Sequence, residues 1–437
     1  MAYRSADVVE VLAWGRRVGA VALDPATNVY AFEYDPAWVL SGVELAPLHM
    51  PLQSGVFEYP ELSAATFHRL PALLADALPD AFGNALVNRW MAEQGVPSER
   101  ITPLDRLAYA ADRAMGALEF RPPAHDSATI PPTAVQLADL VVAARRTVGG
   151  EFDTDATAHD ALQQLIQVGT SAGGARAKAV VAFNPTTSQV RSAYGQLADG
   201  FEHWLIKLDG VSSSGMDGRE DRLGDSAPYG RIEFAYSQMA RAAGIEMEQC
   251  RLLAEGPRRH FMTKRFDRGL LGERHHVISL CALAHLDFNM VGAHSYDQYL
   301  ATARSLELDV EALQQAYRRM VFNVVAVNHD DHTKNFAFLR GEHGGWQLAP
   351  AYDVTHAYHP QSKWTSTHLL SVNGRFADIG LADLYAVGER HEVKAYKRVV
   401  REVLVAVDAW REVAAGAEVP DNAIATVWAD IQQFRPR

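Results

Sequence analysis

Three side chains in the carboxy-terminal half of the chain have the types and spacing that phosphoryl transfer requires. The stretch Asn328-His329-Asp330-Asp331-His332-Thr333-Lys334-Asn335 is followed by Ala349-Pro350-Ala351-Tyr352-Asp353. Moving a γ-phosphoryl group needs one carboxylate to orient the attacking hydroxyl, and an amide oxygen plus a second carboxylate to hold Mg²⁺ against the phosphates. Asp330, Asn335 and Asp353 suit those roles in that order, and Asp331 is a second candidate for the base. The apolar run Met320 to Val327 leads in, and Phe336-Ala337-Phe338-Leu339 leads out toward Gly344-Gly345, which places the polar cluster on a loop between buried elements. A cluster of Asp, His and Asn on one loop is more commonly turn chemistry, so the reading needs support from elements that could hold a nucleotide.

Two such elements are visible. In the segment Val168 to Phe183, Ser171, Gly173 and Gly174 precede Lys178 and an apolar strand. Adjacent glycines let backbone N–H groups approach phosphate oxygens, and Lys178 adds a mobile positive charge. The segment lacks the G-x-x-x-x-G-K-[ST] spacing of a Walker loop, and a plain hairpin is the competing reading. In His203-Trp204-Leu205-Ile206-Lys207-Leu208-Asp209 a single lysine interrupts an apolar strand, where it must either reach water or meet an anion. A strand lysine that grips phosphates also pairs with a helix glutamate in protein kinases. Glu233 is the candidate, on the segment Arg231 to Ala243, where Ile232, Ala235, Tyr236, Met239 and Ala243 recur at helical spacing before Gly244.

With these residues in view the chain resembles the HipA family of serine/threonine kinases, whose catalytic loop reads N-x-D-x-H-x-K-N and whose metal-binding segment reads P-A-Y-D. Asn328 to Asn335 and Pro350 to Asp353 match both patterns, which includes His332 among the catalytic set. Lys264-Arg265-Phe266-Asp267-Arg268 is similar to the family's adenine-contacting hinge E-R-F-D-R, with lysine in place of the usual acid. The resemblance therefore implies nucleotide contacts at Lys264, Phe266 and Asp267. An F-x-Y-D strand at Phe32 to Asp35, the segment Leu78-Pro79-Asp80-Ala81-Phe82-Gly83-Asn84 and the strand Gly116-Ala117-Leu118-Glu119-Phe120 resemble the family's amino-terminal subdomain, so the likeness spans most of the chain. It further implies ATP and Mg²⁺ as cofactors, self-phosphorylation at Ser171, a helix-turn-helix antitoxin of the HipB kind that carries the DNA contacts, and a protein target of the aminoacyl-tRNA synthetase class. A toxin of a bacterial toxin–antitoxin pair is the role implied.

Composition bounds the alternatives. At 437 residues the chain exceeds what one core serves, and 48% hydrophobic residues can bury several. A formal net charge of −12 argues against the whole chain being a primary nucleic-acid binder, because phosphate contacts dominate such affinity. Two cysteines, Cys250 and Cys281, lack any metal or disulfide spacing. The first residues lack the apolar stretch of an export signal, and no window approaches the roughly 18 apolar residues of a membrane span. A cytoplasmic enzyme is the expectation.

The organisation expected is a two-lobed, protein-kinase-like α+β fold. Residues 1–122 form an amino-terminal subdomain, 123–268 a nucleotide-binding lobe and 269–437 a mostly helical catalytic lobe. Helices are expected over Pro71 to Gln94, Leu137 to Thr147, Val310 to Val327 and Glu392 to Ala414, with a polar loop from Val211 to Gly230. Two other functions share parts of this pattern. A small-molecule kinase of the aminoglycoside or choline type has the same catalytic acids, and a catalytically silent antitoxin-binding module would need none of them.

Overall fold

The structure is a computed structural model that describes residues 3–123, 139, 141, 144, 176–193, 197–212, 228–269 and 272–437. Ser171, Gly173, Gly174, most of Leu137 to Thr147 and most of the Val211 to Gly230 loop lie outside the described residues.

Alternating apolar residues near the amino terminus give an antiparallel sheet. Strands β1 (Val8–Ala13), β2 (Arg16–Asp24), β3 (Val29–Tyr34), β4 (Val56–Phe57) and β5 (Leu118–Arg121) assemble in the order β4-β3-β2-β1-β5. Val9, Val11 and Ala13 are fully buried, as period-two patterning requires. The expected helix over Pro71 to Gln94 is divided. A turn at Ala72–Ala75 ends before Pro79, which restricts the residue ahead of it, and Asp80 then caps a helix over Ala81–Glu93 by accepting the Gly83 N–H at 2.7 Å.

A second antiparallel sheet contains β6 (Arg176–Phe183), β7 (Val190–Ser192), β8 (Glu202–Ser212), β9 (Cys250–Glu255) and β10 (Arg258–Lys264), in the order β7-β6-β8-β10-β9. Ala177, Ala179, Val181 and Phe183 alternate into its core with Trp204, Ile206, Leu208 and Met262. Phe82, Leu86, Val87, Trp90 and Met91 of the Ala81–Glu93 helix complete the same core. The helix Tyr229–Ala242 packs on the other side, against β8, β9 and β10.

The remainder is mostly helical. The Val310–Val325 helix is buried on every face from Ala316 to Val325, so it forms the centre of this lobe. The Tyr296–Ser305 and Tyr396–Asp408 helices lie against it. A three-stranded sheet, β11 (His276–Ser279), β13 (Ala337–Arg340) and β14 (Trp346–Leu348), has the order β11-β13-β14, and β12 (His294–Ser295) pairs in parallel with β15 (Leu370–Ser371). The expected long helix over Glu392 to Ala414 is interrupted at Ala409 between Tyr396–Asp408 and Trp410–Gly416. The break turns Trp410 into the core, where its ring meets Tyr236 edge-on at 5.3 Å. Among the described residues no helix is long and apolar enough to cross a membrane.

One buried carboxylate ties the amino-terminal sheet to the end of β10. Asp267 is fully buried and accepts from Arg265 Nε at 2.8 Å, from an Arg268 guanidinium nitrogen at 2.7 Å and from the Gly116 N–H at 2.7 Å. Gly116 sits at φ +83, and a Cβ there would lie 3.0 Å from the Val277 nitrogen, so glycine is needed to bring this N–H to the carboxylate. Burial alone would raise the Asp267 pKa, but Arg265 and Arg268 hold it far below the usual carboxylate range. Because the folded-state value lies beneath the unfolded one of about 4, its contribution to stability is complete at neutral pH and fades as the pH falls below that point. Asp267→Ala leaves two arginines partly uncompensated and is expected to cost about 3–5 kcal/mol. Calorimetric unfolding at pH 7 checks it: an unchanged melting temperature would exclude the anchoring role.

Candidate active site

The catalytic loop is shaped by residues on both sides of it. The Val310–Val325 helix stops at Ala326, and Val327 takes φ +57, which turns the chain sharply. From there anchors alternate with outward-facing groups. Asn328 donates through its side-chain amide to Asn323 Oδ1 at 3.0 Å. The His329 N–H donates to Ala357 O at 3.0 Å. His329 Nδ1 lies 3.1 Å from Thr365 O, so the proton must sit on that nitrogen, and burial pushes the ring's pKa down to about 3. Asp331 is buried and accepts three hydrogen bonds, from Tyr296 Oη at 2.7 Å, His368 Nδ1 at 2.8 Å and the Leu369 N–H at 2.7 Å. Thr333 Oγ1 donates to Leu286 O at 2.7 Å.

Between these anchors Asp330 presents a side chain that is 45% exposed, with His332 Nε2 3.7 Å from its Oδ1. Asp331, the second candidate for the base, has its carboxylate enclosed by the loop's own scaffolding. Asn335 donates through Nδ2 to Asp330 O at 2.7 Å, which leaves its amide oxygen as the remaining acceptor.

Asp353 reaches the same region from the other side. It sits at φ +52, an uncommon conformation for a non-glycine residue that aims its side chain away from the chain's general path. Its Oδ1 accepts from Lys207 Nζ, and the same ammonium donates to Glu233 Oε1 at 2.6 Å. The strand lysine and helix glutamate therefore pair as the sequence suggests. Burial would lower the Lys207 pKa, but Asp353 and Glu233 together raise it above its ordinary value. Burial likewise works to raise Asp353, while Lys207 and then Lys178 hold it well below the usual range. Lys207 and Asp353 are thus both ionised at neutral pH.

Lys178 of β6 lies directly across the ladder from Lys207 of β8. Its side chain is buried, and its Nζ is 3.6 Å from Asp80 Oδ2. Asp80 is a participant that the sequence reading did not single out. Its place in Leu78-Pro79-Asp80, ahead of a helix, signals a cap and gives no indication of a partner some hundred residues later.

The hinge residues divide. Phe266 places its ring 5.9 Å from that of Tyr352, next to Asp353 in the chain. Lys264 turns to Glu202 at 2.8 Å, so its ammonium is engaged outside the cluster. The N–H groups of Lys264 and Arg265 donate to Gln249 O and His203 O, both at 2.9 Å, and neither is left for an adenine. Asp267, expected beside the nucleotide, faces inward to Arg265, Arg268 and the Gly116 N–H.

The donors available to a metal are oxygens, the Asn335 amide and the Asp353 carboxylate. That set suits Mg²⁺, which takes one or two protein oxygens and completes its shell from phosphates and water. Among the described residues no group of three or more His, Cys, Asp and Glu side chains forms a protein-only metal cage.

The two sheets, the helical lobe and this cleft define a two-lobed kinase-like protein. The chain belongs to the HipA family: residues 9–121 match the HipA N-terminal domain and residues 170–411 match the HipA-like C-terminal domain. Among solved structures it is similar to HipA in the complex of the Shewanella oneidensis MR-1 toxin–antitoxin system HipA, HipB and its operator DNA. That match has a TM-score of 0.67 and 16% identity over 98% of this chain and 95% of the other. A Helicobacter pylori proinflammatory kinase, CtkA, aligns with a TM-score of only 0.30 and 12% identity, over 54% of this chain and 91% of that one. No curated protein matches the sequence.

The two neighbouring acids of the loop should separate cleanly on mutation. Asp331→Asn removes a charge that three donors enclose and is expected to cost about 2–4 kcal/mol, whereas isosteric Asp330→Asn should change stability by no more than about 0.5 kcal/mol. Denaturant unfolding of both variants checks the assignment, and equal losses would refute it.

Proposed function

We propose that the chain is an ATP- and Mg²⁺-dependent serine/threonine protein kinase of the HipA toxin type, acting in the cytoplasm. The observation that carries this reading is Lys207 held between Glu233 and Asp353, together with an exposed Asp330 whose carbonyl is bonded by Asn335 on an anchored loop. In this reading a target hydroxyl gives its proton to Asp330 as its oxygen attacks the γ-phosphorus. The bond to the β–γ bridging oxygen breaks, and ADP departs with that electron pair. Asn335 fixes Asp330 through the Asp330 carbonyl, and Lys207 holds phosphate oxygens once they compete for its ammonium. Mg²⁺, held by Asn335 and Asp353, would supply charge neutralisation between the phosphates.

Family membership and the presence of the whole catalytic set favour this over a small-molecule kinase or a silent module. A HipB-like helix-turn-helix antitoxin is the proposed partner, supported by the HipA–HipB–operator DNA assembly of the Shewanella protein. The net charge of −12 agrees with DNA contacts residing in that partner. The family resemblance supports an aminoacyl-tRNA synthetase as target and Ser171 as a site of self-phosphorylation. A phosphate at Ser171 would bring roughly two negative charges into competition with the nucleotide.

Asp330→Asn should lower radiolabelled phosphate transfer, including transfer to the chain itself, by at least about 10³-fold, in line with the loss of a general base combined with positioning. Near-normal transfer would reject the assignment. Asp353→Asn should weaken Mg²⁺-dependent ATP binding strongly, while leaving nucleotide binding without Mg²⁺ much less affected. Calorimetric titration with and without the metal distinguishes the two.

A further inference from the structure

Asp80 carries a buried charge that its local duty does not require. Its Oδ1 caps the Ala81–Glu93 helix through the Gly83 N–H at 2.7 Å. Asparagine or serine performs that task equally well and brings no charge. Among the described residues its buried Oδ2 has no hydrogen-bond partner, and the close counter-charge it meets there is Lys178 Nζ at 3.6 Å. Burial pushes the Asp80 pKa up to about 6, Lys178 opposes that shift, and Asp353 adds slightly to it. A carboxylate with 4% side-chain exposure is costly to keep ionised, so the cation it faces is the reason to look further.

Lys178 and Lys207 stand directly opposite one another on β6 and β8. Residues so paired share a face of the sheet, and like charges at such positions repel. Lys207 is compensated by Glu233 and Asp353. Lys178, the more deeply buried of the two, meets Asp80. The contact at 3.6 Å is looser than the 2.6 Å bond between Lys207 and Glu233, so the ammonium is held in place while its N–H groups are not saturated by the pair.

We infer that Asp80 is a positioning residue for the nucleotide's phosphates: it fixes the Lys178 ammonium beside Lys207, so that the two cations form one anion-binding surface. The inference rests on the kinase reading of this cleft. It also gives the amino-terminal domain a direct part in the site, because Asp80 enters from the helix that shares a core with β6 and β8.

The full-length chain is titrated calorimetrically with Mg-ATP and, separately, with adenosine, which lacks phosphates. Asp80→Asn keeps the cap and should weaken Mg-ATP by about 5- to 20-fold, an effect of one displaced charge contact, while adenosine affinity stays within about twofold. Lys178→Met should weaken Mg-ATP at least as much, and adding Asp80→Asn to it should produce no further loss. Asp80→Ser, also a good cap, replaces Asp80→Asn if the latter does not fold. Unchanged or tighter Mg-ATP binding in the Asp80 variant overturns the inference, as does equal loss for ATP and adenosine, or additivity with Lys178→Met. If wild-type protein binds neither ligand, the kinase reading fails first. Wild-type binding that is untouched by Asp80→Asn removes the inference alone.

Discussion

The site depends on an electrostatic constraint: Lys207 is a cation on a central strand and must be compensated there. A buried ammonium is tolerable only if carboxylates approach closely enough to replace its lost hydration. Here two do so, Glu233 from the helix behind the sheet and Asp353 from the loop after Pro350 in the helical lobe. That requirement draws three separate stretches of chain to one point. It also holds Asp353 ionised and fixes its carboxylate against Lys207. Breaking such a pair from one side leaves an uncompensated charge, so the geometry is maintained by a penalty against every alternative.

The catalytic loop solves a related problem differently. A loop that carries chemistry must expose some polar groups and still have one conformation. Alternation achieves this: Asn328, His329, Asp331 and Thr333 turn inward to named partners, and Asp330 faces outward between them. Asp331 is the clearest case, because the one residue satisfies Tyr296 on one side and the adjoining His368 ring and Leu369 N–H on the other. The placement of Asp330 therefore derives from an adjacent acid whose carboxylate is turned into the lobe.

Part of this geometry was legible in the sequence, where residue types stand at a fixed spacing. Lys207 does meet Glu233, Asp353 reaches the same ammonium, and Asn335 folds back on Asp330. Burial of a charge was not legible, because the partner that decides it lies far away in sequence. Asp267 and Asp353 look alike in a string of letters, but one faces two arginines and the other a lysine at the mouth of the site. Lys264 was likewise unreadable, since Glu202 belongs to another strand. The break at Pro79 follows from local sterics and could have been placed, whereas the break at Ala409 arises from Trp410 seeking the core around Tyr236, a tertiary demand that overrides helical periodicity.

The amino-terminal domain bears on both lobes at once. Its helix Ala81–Glu93 is part of the core under β6 and β8, while its other contacts reach the helical lobe and the sheet that supports the catalytic loop. Asp76 accepts from Ser279 through both carboxylate oxygens at 2.7 Å, Leu45 O receives the His276 Nε2 proton at 2.9 Å, and Thr66 Oγ1 donates to Asp287 at 2.5 Å. A segment fastened to both lobes limits their relative motion, because closing or opening the cleft must shear one of those interfaces. The relative placement of β6, β8 and the Asn328–Asn335 loop is thus set on folding, and the domain that carries Asp80 is the part of the chain that fastens both.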